Sequence, residues 1–135
     1  MNNRMVEGYL EPAFQALRDY DIAVSDDEDN KLFKINKEFR SKIAAYGAAV
    51  TMGSLLSGTA FYSAQGKSEK ERQNLMRAIY GVLHWNAKPP IDTKNVHGDT
   101  LFHYVKDNNN RATKEQVLAA ATALKLAMNL YRLVE

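Results

Sequence analysis

The stretch that decides the fold runs from residue 31 to residue 50 and reads KLFKINKEFRSKIAAYGAAV. Its apolar side chains recur at intervals of three and four residues, which is the spacing of one face of an α-helix. This stripe consists of Leu32, Ile35, Phe39, Ile43, Tyr46 and Val50. The pattern predicts one amphipathic helix across the stretch, with the stripe packed against a core.

Basic residues occupy the other half of the same predicted helix, with Lys42 at the edge of that half and Glu38 as the single acidic residue among them. A row of cations on a helix can follow the phosphates of a nucleic acid, and such binding weakens as salt is added. The alternative is a solvated face that only keeps the apolar stripe turned inward. The candidate RNA-binding residues of this basic face are Lys31, Lys34, Lys37, Arg40 and Lys42.

A candidate second basic patch lies near the start of a later helix, where Glu69 and Glu71 offset part of its charge. Its residues are Lys67, Lys70, Arg72 and Arg77. Neither group has an obvious base-stacking aromatic residue interleaved with it, and such residues are common in proteins that bind single-stranded nucleic acids.

Helical periodicity continues along the rest of the chain, whereas no stretch alternates convincingly with the period of a strand. The sequence therefore predicts an all-α fold, a single compact bundle of about five or six helices over residues 1–135. We expect an acidic loop near residues 25–30 and a connector near residues 86–98. The expected landmarks are a helix start at Glu11-Pro12, a bend near Gly53, capping boxes at Ser68–Glu71 and Thr113–Gln116, a short helix at Asp99–Val105, and close helix packing at Gly47, Gly53 and Gly58.

The composition excludes several classes of protein. The chain has 135 residues and no cysteine, so it has no disulfide, thiolate metal site or cysteine nucleophile. Its first residues lack a secretory signal core, and no apolar run is long enough to cross a bilayer. We therefore expect a cytoplasmic protein.

The net charge of +2 hides a polarised chain, because residues 1–30 carry two basic and eight acidic side chains and residues 31–135 carry sixteen basic and eight acidic ones.

The chemistry-bearing residues are too few and too scattered to predict catalysis. His97 and His103 flank Asp99, but this spacing matches no zinc motif. The acidic run after Ser25 lacks the glycine and the later glutamate of a calcium loop. No phosphate-binding loop is present. We expect no catalytic residues, no metal site and no cofactor.

Two parts of the chain together resemble a known family, the small all-helical subunit of type III-B CRISPR (Cmr) effector complexes. The resemblance rests on an aromatic residue and an isoleucine before a small-residue turn, then on a leucine and an Ala-Phe pair, and finally on the last helix. The chain departs from the family pattern at Ser54, which stands in place of a glycine, and at Thr122, where tryptophan is common. The matching residues are FRSKIAAYGAAV (39–50), SLL (54–56), TAFY (59–62), ATKE (112–115), Leu124-Lys125 and Ala127.

The resemblance implies a non-catalytic, structural subunit of a prokaryotic antiviral ribonucleoprotein. Such subunits pack beside the backbone subunits and line the groove that holds guide RNA paired with target RNA. The implied partners are guide and target RNA, the backbone and large subunits, and neighbouring copies of the chain, with no membrane and no small-molecule substrate. The competing interpretation is a helical adaptor that binds only protein, and an enzyme is a distant third.

Overall fold

The computed structural model describes residues 3–25, 33–64 and 70–134 of the chain. Within these segments, six α-helices pack around one apolar core and a three-stranded sheet lies beside them. The predicted all-α bundle of five or six helices is confirmed in this broad form, and the small sheet is an addition. The elements are α1 (Asn3–Asp19), β1 (Ala23–Ser25), β2 (Phe33–Asn36), α2 (Glu38–Met52), α3 (Leu55–Ser63), α4 (Lys70–Leu83), α5 (Thr100–Asp107), α6 (Arg111–Met128) and β3 (Arg132–Val134).

The last helix, α6, is central in the bundle. It packs against α1, α2 and α4, and alanines make up much of its buried surface, which lets the neighbouring helices approach closely. The predicted capping box at Thr113 is wrong. The side chain of Asn110 caps this helix by accepting a hydrogen bond of 2.9 Å from the backbone amide of Thr113, which is itself buried inside the helix.

The sheet replaces the first part of the helix predicted from residue 31. Strand β2 pairs antiparallel with β1 and parallel with β3, so its backbone groups are satisfied on both edges. Helix α2 then begins at Glu38, whose amide donates to the side-chain oxygen of Asn36 at 2.9 Å. Ile35 is fully buried in the strand, as the apolar stripe predicts, because an inward position fits either backbone conformation. Leu32 lies outside the described residues.

Helix α1 is continuous from Asn3 to Asp19, and Pro12 lies inside it. The predicted start at Glu11-Pro12 is therefore wrong. An interior proline costs about 3 kcal/mol in helix stability, but the apolar face continues upstream of it through the buried Val6. Packing along the whole face offsets the cost.

An arginine joins α1 to the sheet. The guanidinium of Arg18 lies 4.3 Å from the ring centroid of Phe33, and its Nε donates to the hydroxyl of Tyr131 at 3.0 Å. The Tyr131 hydroxyl in turn donates to the carbonyl of Phe14 at 3.0 Å. The rings of Phe14 and Tyr131 stack with their centroids 4.7 Å apart. These contacts tie α1, β2 and the residue before β3 into one unit.

The glycines differ in what they do. The bend at Gly53 between α2 and α3 is confirmed, and Ser54 caps α3 by accepting from the amide of Ser57. Close packing is confirmed at Gly58, where an added Cβ would lie 3.3 Å from Val50. The prediction of close helix packing is wrong for Gly47, where an added Cβ meets nothing within 4 Å. It is also wrong for Gly53, where the nearest atom to an added Cβ is a carbonyl oxygen of the preceding turn of α2.

The remaining predicted elements are a short helix, a connector, an acidic loop and a capping box. The short helix predicted at Asp99–Val105 is present as α5, and the connector before it contains a single 3-10 turn at Thr93–Asn95. The predicted acidic loop is described only at Ser25, which belongs to β1, and its other residues lie outside the described segments. The same is true of the first half of the capping box predicted at Ser68–Glu71.

Candidate nucleic-acid interface

The predicted basic face does not lie on one helix. Lys31 is outside the described residues, Lys34 is half-buried in β2, and Lys37 is exposed at the cap of α2. The register places Lys34 beside Arg132 of β3, and the backbone amide of Lys37 donates to the carbonyl of Val134 at 2.7 Å. The sheet therefore gathers Lys34, Lys37 and Arg132 at the N-terminal end of α2, a grouping that helical spacing does not predict.

Arg40 and Lys42 point to opposite flanks of α2, because residues two positions apart differ by about 200° around a helix. Lys42 faces α4, where its Nζ lies 3.2 Å from a carboxylate oxygen of Glu71. The same Nζ lies 3.8 Å from a carboxylate oxygen of Glu38, one turn earlier on α2. Arg40 shares its side with Ala44, which lines a shallow groove against α6. The prediction that these two cations share one face is thus wrong.

The second predicted patch also divides. Lys67 lies outside the described residues, and Lys70 is exposed at the start of α4. Arg77 is a structural residue: its Nε donates to the carbonyl of Val96 at 2.8 Å, and its guanidinium lies 5.0 Å from the ring centroid of Tyr20. Because it is half-buried and holds the connector to α4, we exclude Arg77 from the interface.

The structure instead brings together residues from α2, α3 and α4 at one place. We call this the α2–α4 corner and define it by five residues: Lys42, Phe61, Tyr62, Glu71 and Arg72. The ion pair between Lys42 and Glu71 joins the two predicted basic groups. The hydroxyl of Tyr62 donates to the carbonyl of Lys42 at 3.0 Å, which fixes α3 against α2. The guanidinium of Arg72 lies 4.8 Å from the ring centroid of Phe61.

Phe61 is the member of the corner that the sequence analysis missed. Its side chain is 60% exposed, whereas Tyr62 beside it is buried. A signal for this was present, since adjacent residues on a helix point about 100° apart. A turn of about 100° can place one of two neighbouring aromatic residues toward the core and the other toward solvent. An aromatic residue is therefore interleaved with the basic residues, contrary to our expectation.

The surroundings of the corner keep its tyrosine neutral. Burial raises the pKa of Tyr62 above its ordinary value, and the positive charge of Arg72 opposes this rise only in part. The hydroxyl thus remains a hydrogen-bond donor at neutral pH. Lys42 and Glu71 are both partly exposed, and such ion pairs contribute about 0–1 kcal/mol to stability. Their pairing therefore serves mainly to set the position of the Lys42 side chain.

Two of the three histidines, His84 and His103, make local side-chain contacts. His103 Nε2 lies 3.4 Å from a carboxylate oxygen of Asp99, and His84 stacks on Tyr80 with centroids 4.3 Å apart. Among residues 3–25, 33–64 and 70–134, no three histidine, aspartate or glutamate residues are grouped as a metal site.

One surface pocket is lined by the residue types of a hydrolytic site: a serine, a histidine and an aspartate. Ser63, Asp99 and His103 all line it. However, the Ser63 Oγ is shielded from solvent and has no hydrogen-bond partner among the described residues, so His103 does not activate it. This pocket lacks the nucleophile–base contact that acyl transfer requires.

None of the helices in the described segments is both long and apolar enough to cross a lipid bilayer. Comparisons of the chain with family models, with curated proteins and with solved structures find no match.

Proposed function

We propose that this chain is the non-catalytic small subunit of a cytoplasmic type III-B CRISPR (Cmr) effector complex. In this role it packs beside the backbone subunits and contacts guide and target RNA. The observation that carries the proposal is the α2–α4 corner, where the guanidinium of Arg72 lies over the exposed ring of Phe61 and Lys42 pairs with the neighbouring Glu71. The sequence resemblance over α2, α3 and α6 supports the same assignment.

The charge distribution suits a backbone contact of modest strength. Lys70 and Arg72 both belong to the first turn of α4, where they point to opposite flanks, and Glu71 between them pairs with Lys42. A cation that neutralises a phosphate releases counterions, so each contact adds to both the affinity and its dependence on salt. A few such contacts give weak binding for the isolated chain and firm binding within an assembly, where the effective concentration of RNA is high.

The first test is a pull-down of the tagged chain from its native host, with mass spectrometry of the proteins and sequencing of the RNA. Recovery of repeat-derived guide RNA with backbone and large subunits is the expected result. Recovery of unrelated proteins without RNA would overturn the proposal.

The second test uses matched charge variants of the same assembled complex. We expect Arg72→Gln to reduce RNA retention and to lower the slope of its salt dependence by about 0.7, which corresponds to one contact with a single strand. The control is Lys94→Gln, which removes the same charge from the exposed connector. Equal retention by both variants at every salt concentration would contradict the assignment of the corner.

A helical adaptor that binds only protein is the second candidate, and one observation favours it. Leu126 and Leu130, at and just beyond the end of α6, are both exposed although they are large and apolar. Substituting both with serine distinguishes the candidates, because an adaptor would lose its protein partners while RNA retention by a Cmr subunit would depend on the corner.

A further inference from the structure

The ring of Phe61 is exposed on one side of α3. Exposed positions recur there at helical spacing, and apart from Phe61 their side chains are small: Ser57, Ala60 and Ala64. These small side chains of α3 do not cover the ring. A single exposed apolar residue is ordinary on a protein surface, so the ring alone identifies no ligand.

The second observation is the position of Arg72. Its guanidinium lies 4.8 Å from the ring centroid of Phe61 and 5.5 Å from that of Tyr62, so it stands over two aromatic faces. A guanidinium is planar and stacks on aromatic rings, and it also pairs with phosphate. The arrangement thus combines a π surface with a cation that suits the two chemically distinct parts of a nucleotide.

The surroundings favour a nucleotide over a protein partner. Protein-docking sites are marked by contiguous apolar patches, whereas here one exposed ring is bordered by small residues and by the guanidinium of Arg72. The negative charge of Glu71 is balanced by Lys42 at 3.2 Å. A flat base with an attached phosphate matches this combination better than an aliphatic side chain does.

We propose that Phe61 and Arg72 form a stacking site for one unpaired base of single-stranded RNA. The base lies against the Phe61 ring, and Arg72 contacts the adjoining phosphate. This inference rests on the proposed RNA-contacting function and adds a specific ligand, an unstacked base, to it. Stacking on an aromatic side chain tolerates any base, because every base has a π face.

The test measures binding of the full chain to a short single-stranded RNA that contains 2-aminopurine, by fluorescence anisotropy and by quenching of the base. We expect Phe61→Leu, which keeps an apolar side chain but removes the ring, to weaken binding about tenfold and to abolish quenching. Phe61→Tyr, which keeps an aromatic ring, should match wild type in both binding affinity and quenching. Met52→Ala, which truncates another highly exposed apolar side chain, is the control and should leave both unchanged.

A reporter on the protein side checks the same contact. The chain has a single tryptophan, Trp85, so Phe61→Trp in a Trp85→Phe background places the only indole at the site. Its emission should be quenched by the RNA and much less by an otherwise identical RNA whose bases are replaced by abasic residues. Equal quenching by the two RNAs would overturn the stacking site.

The outcomes separate this inference from the proposed function. If wild type and Phe61→Leu bind equally well and share a salt slope that Arg72→Gln reduces, the stacking site is wrong and the RNA-contacting function stands. If no form binds the RNA in low salt at millimolar protein, both are wrong. If Phe61→Leu changes only self-association of the chain, Phe61 belongs to a protein contact and the stacking site is again overturned.

Discussion

Gly81 of α4 lies directly against a buried aromatic ring, and replacing it with alanine tests the packing between α1 and α4. A Cβ added at Gly81 would lie 2.6 Å from Cε2 and 2.8 Å from the hydroxyl oxygen of Tyr20. Real Cβ atoms do not approach other heavy atoms this closely. The Tyr20 side chain is buried beneath the guanidinium of Arg77, so its ring can move only by disturbing that contact or by entering the small cavity beside it.

Two opposing terms set the expected magnitude. Overpacking of this kind costs about 1–3 kcal/mol, and replacing a glycine inside a helix by alanine gains up to about 1 kcal/mol. The net expectation for Gly81→Ala is a loss of about 0–2 kcal/mol in the free energy of unfolding. Gly47→Ala in α2 provides the matched control, because the added Cβ there meets nothing within 4 Å and only the helical gain remains.

The assay is urea unfolding of both variants and wild type, followed by circular dichroism at the helical band. We expect Gly47→Ala to be more stable than wild type and Gly81→Ala to fall about 1–3 kcal/mol below Gly47→Ala. Adding Tyr20→Ala to Gly81→Ala should remove the penalty specific to the clash. If the two glycine variants are stabilised equally, the ring of Tyr20 does not pack on Gly81 and the reasoning is refuted.

Three further variants test separate parts of the structure. Arg77→Gln should lower the free energy of unfolding by about 2 kcal/mol, the scale of a charge-assisted hydrogen bond, and leave the salt slope of RNA binding unchanged. Asn110→Ala should cost about 1 kcal/mol as a lost helix cap, whereas Gln116→Ala should cost almost nothing; equal losses would contradict the cap. Burial raises the pKa of Tyr46 above the unfolded value near 10, so its stabilising contribution is complete below about pH 10 and lost as pH rises through the folded pKa. The fall in the urea midpoint above that pH should be shallower in Tyr46→Phe, and an unchanged fall would refute this assignment.

Burial was more predictable from the sequence than backbone conformation. The apolar stripe from Ile35 to Val50 is buried throughout, although Ile35 belongs to a strand and the others to α2. Spacing reports which side chains leave water, and an isolated inward residue fits a strand as well as a helix. The strand itself depends on pairing with Arg132–Val134, a partner far away in the chain that local periodicity does not include.

The candidate interface was less predictable because it depends on how helices are placed in space. Arg77 and Arg72 differ by five positions on α4, yet one holds the connector and the other stacks on Phe61. Charge alone does not distinguish these roles. The tight contact at Gly81 was missed for the same reason, since its cause is a ring from α1 that sequence spacing cannot place.

The parallel pairing of β2 with β3 also has a consequence for how the chain folds. Lys34 and Arg132 are 98 positions apart, and closing a loop of that length costs about 4 kcal/mol in chain entropy. The β1–β2 hairpin and the helices make nearer contacts, so we expect β3 to join late in folding. Until it does, one edge of β2 offers unpaired amides and carbonyls to any other strand. A nascent chain that has not yet extended to residue 132 is therefore the form most exposed to misassembly.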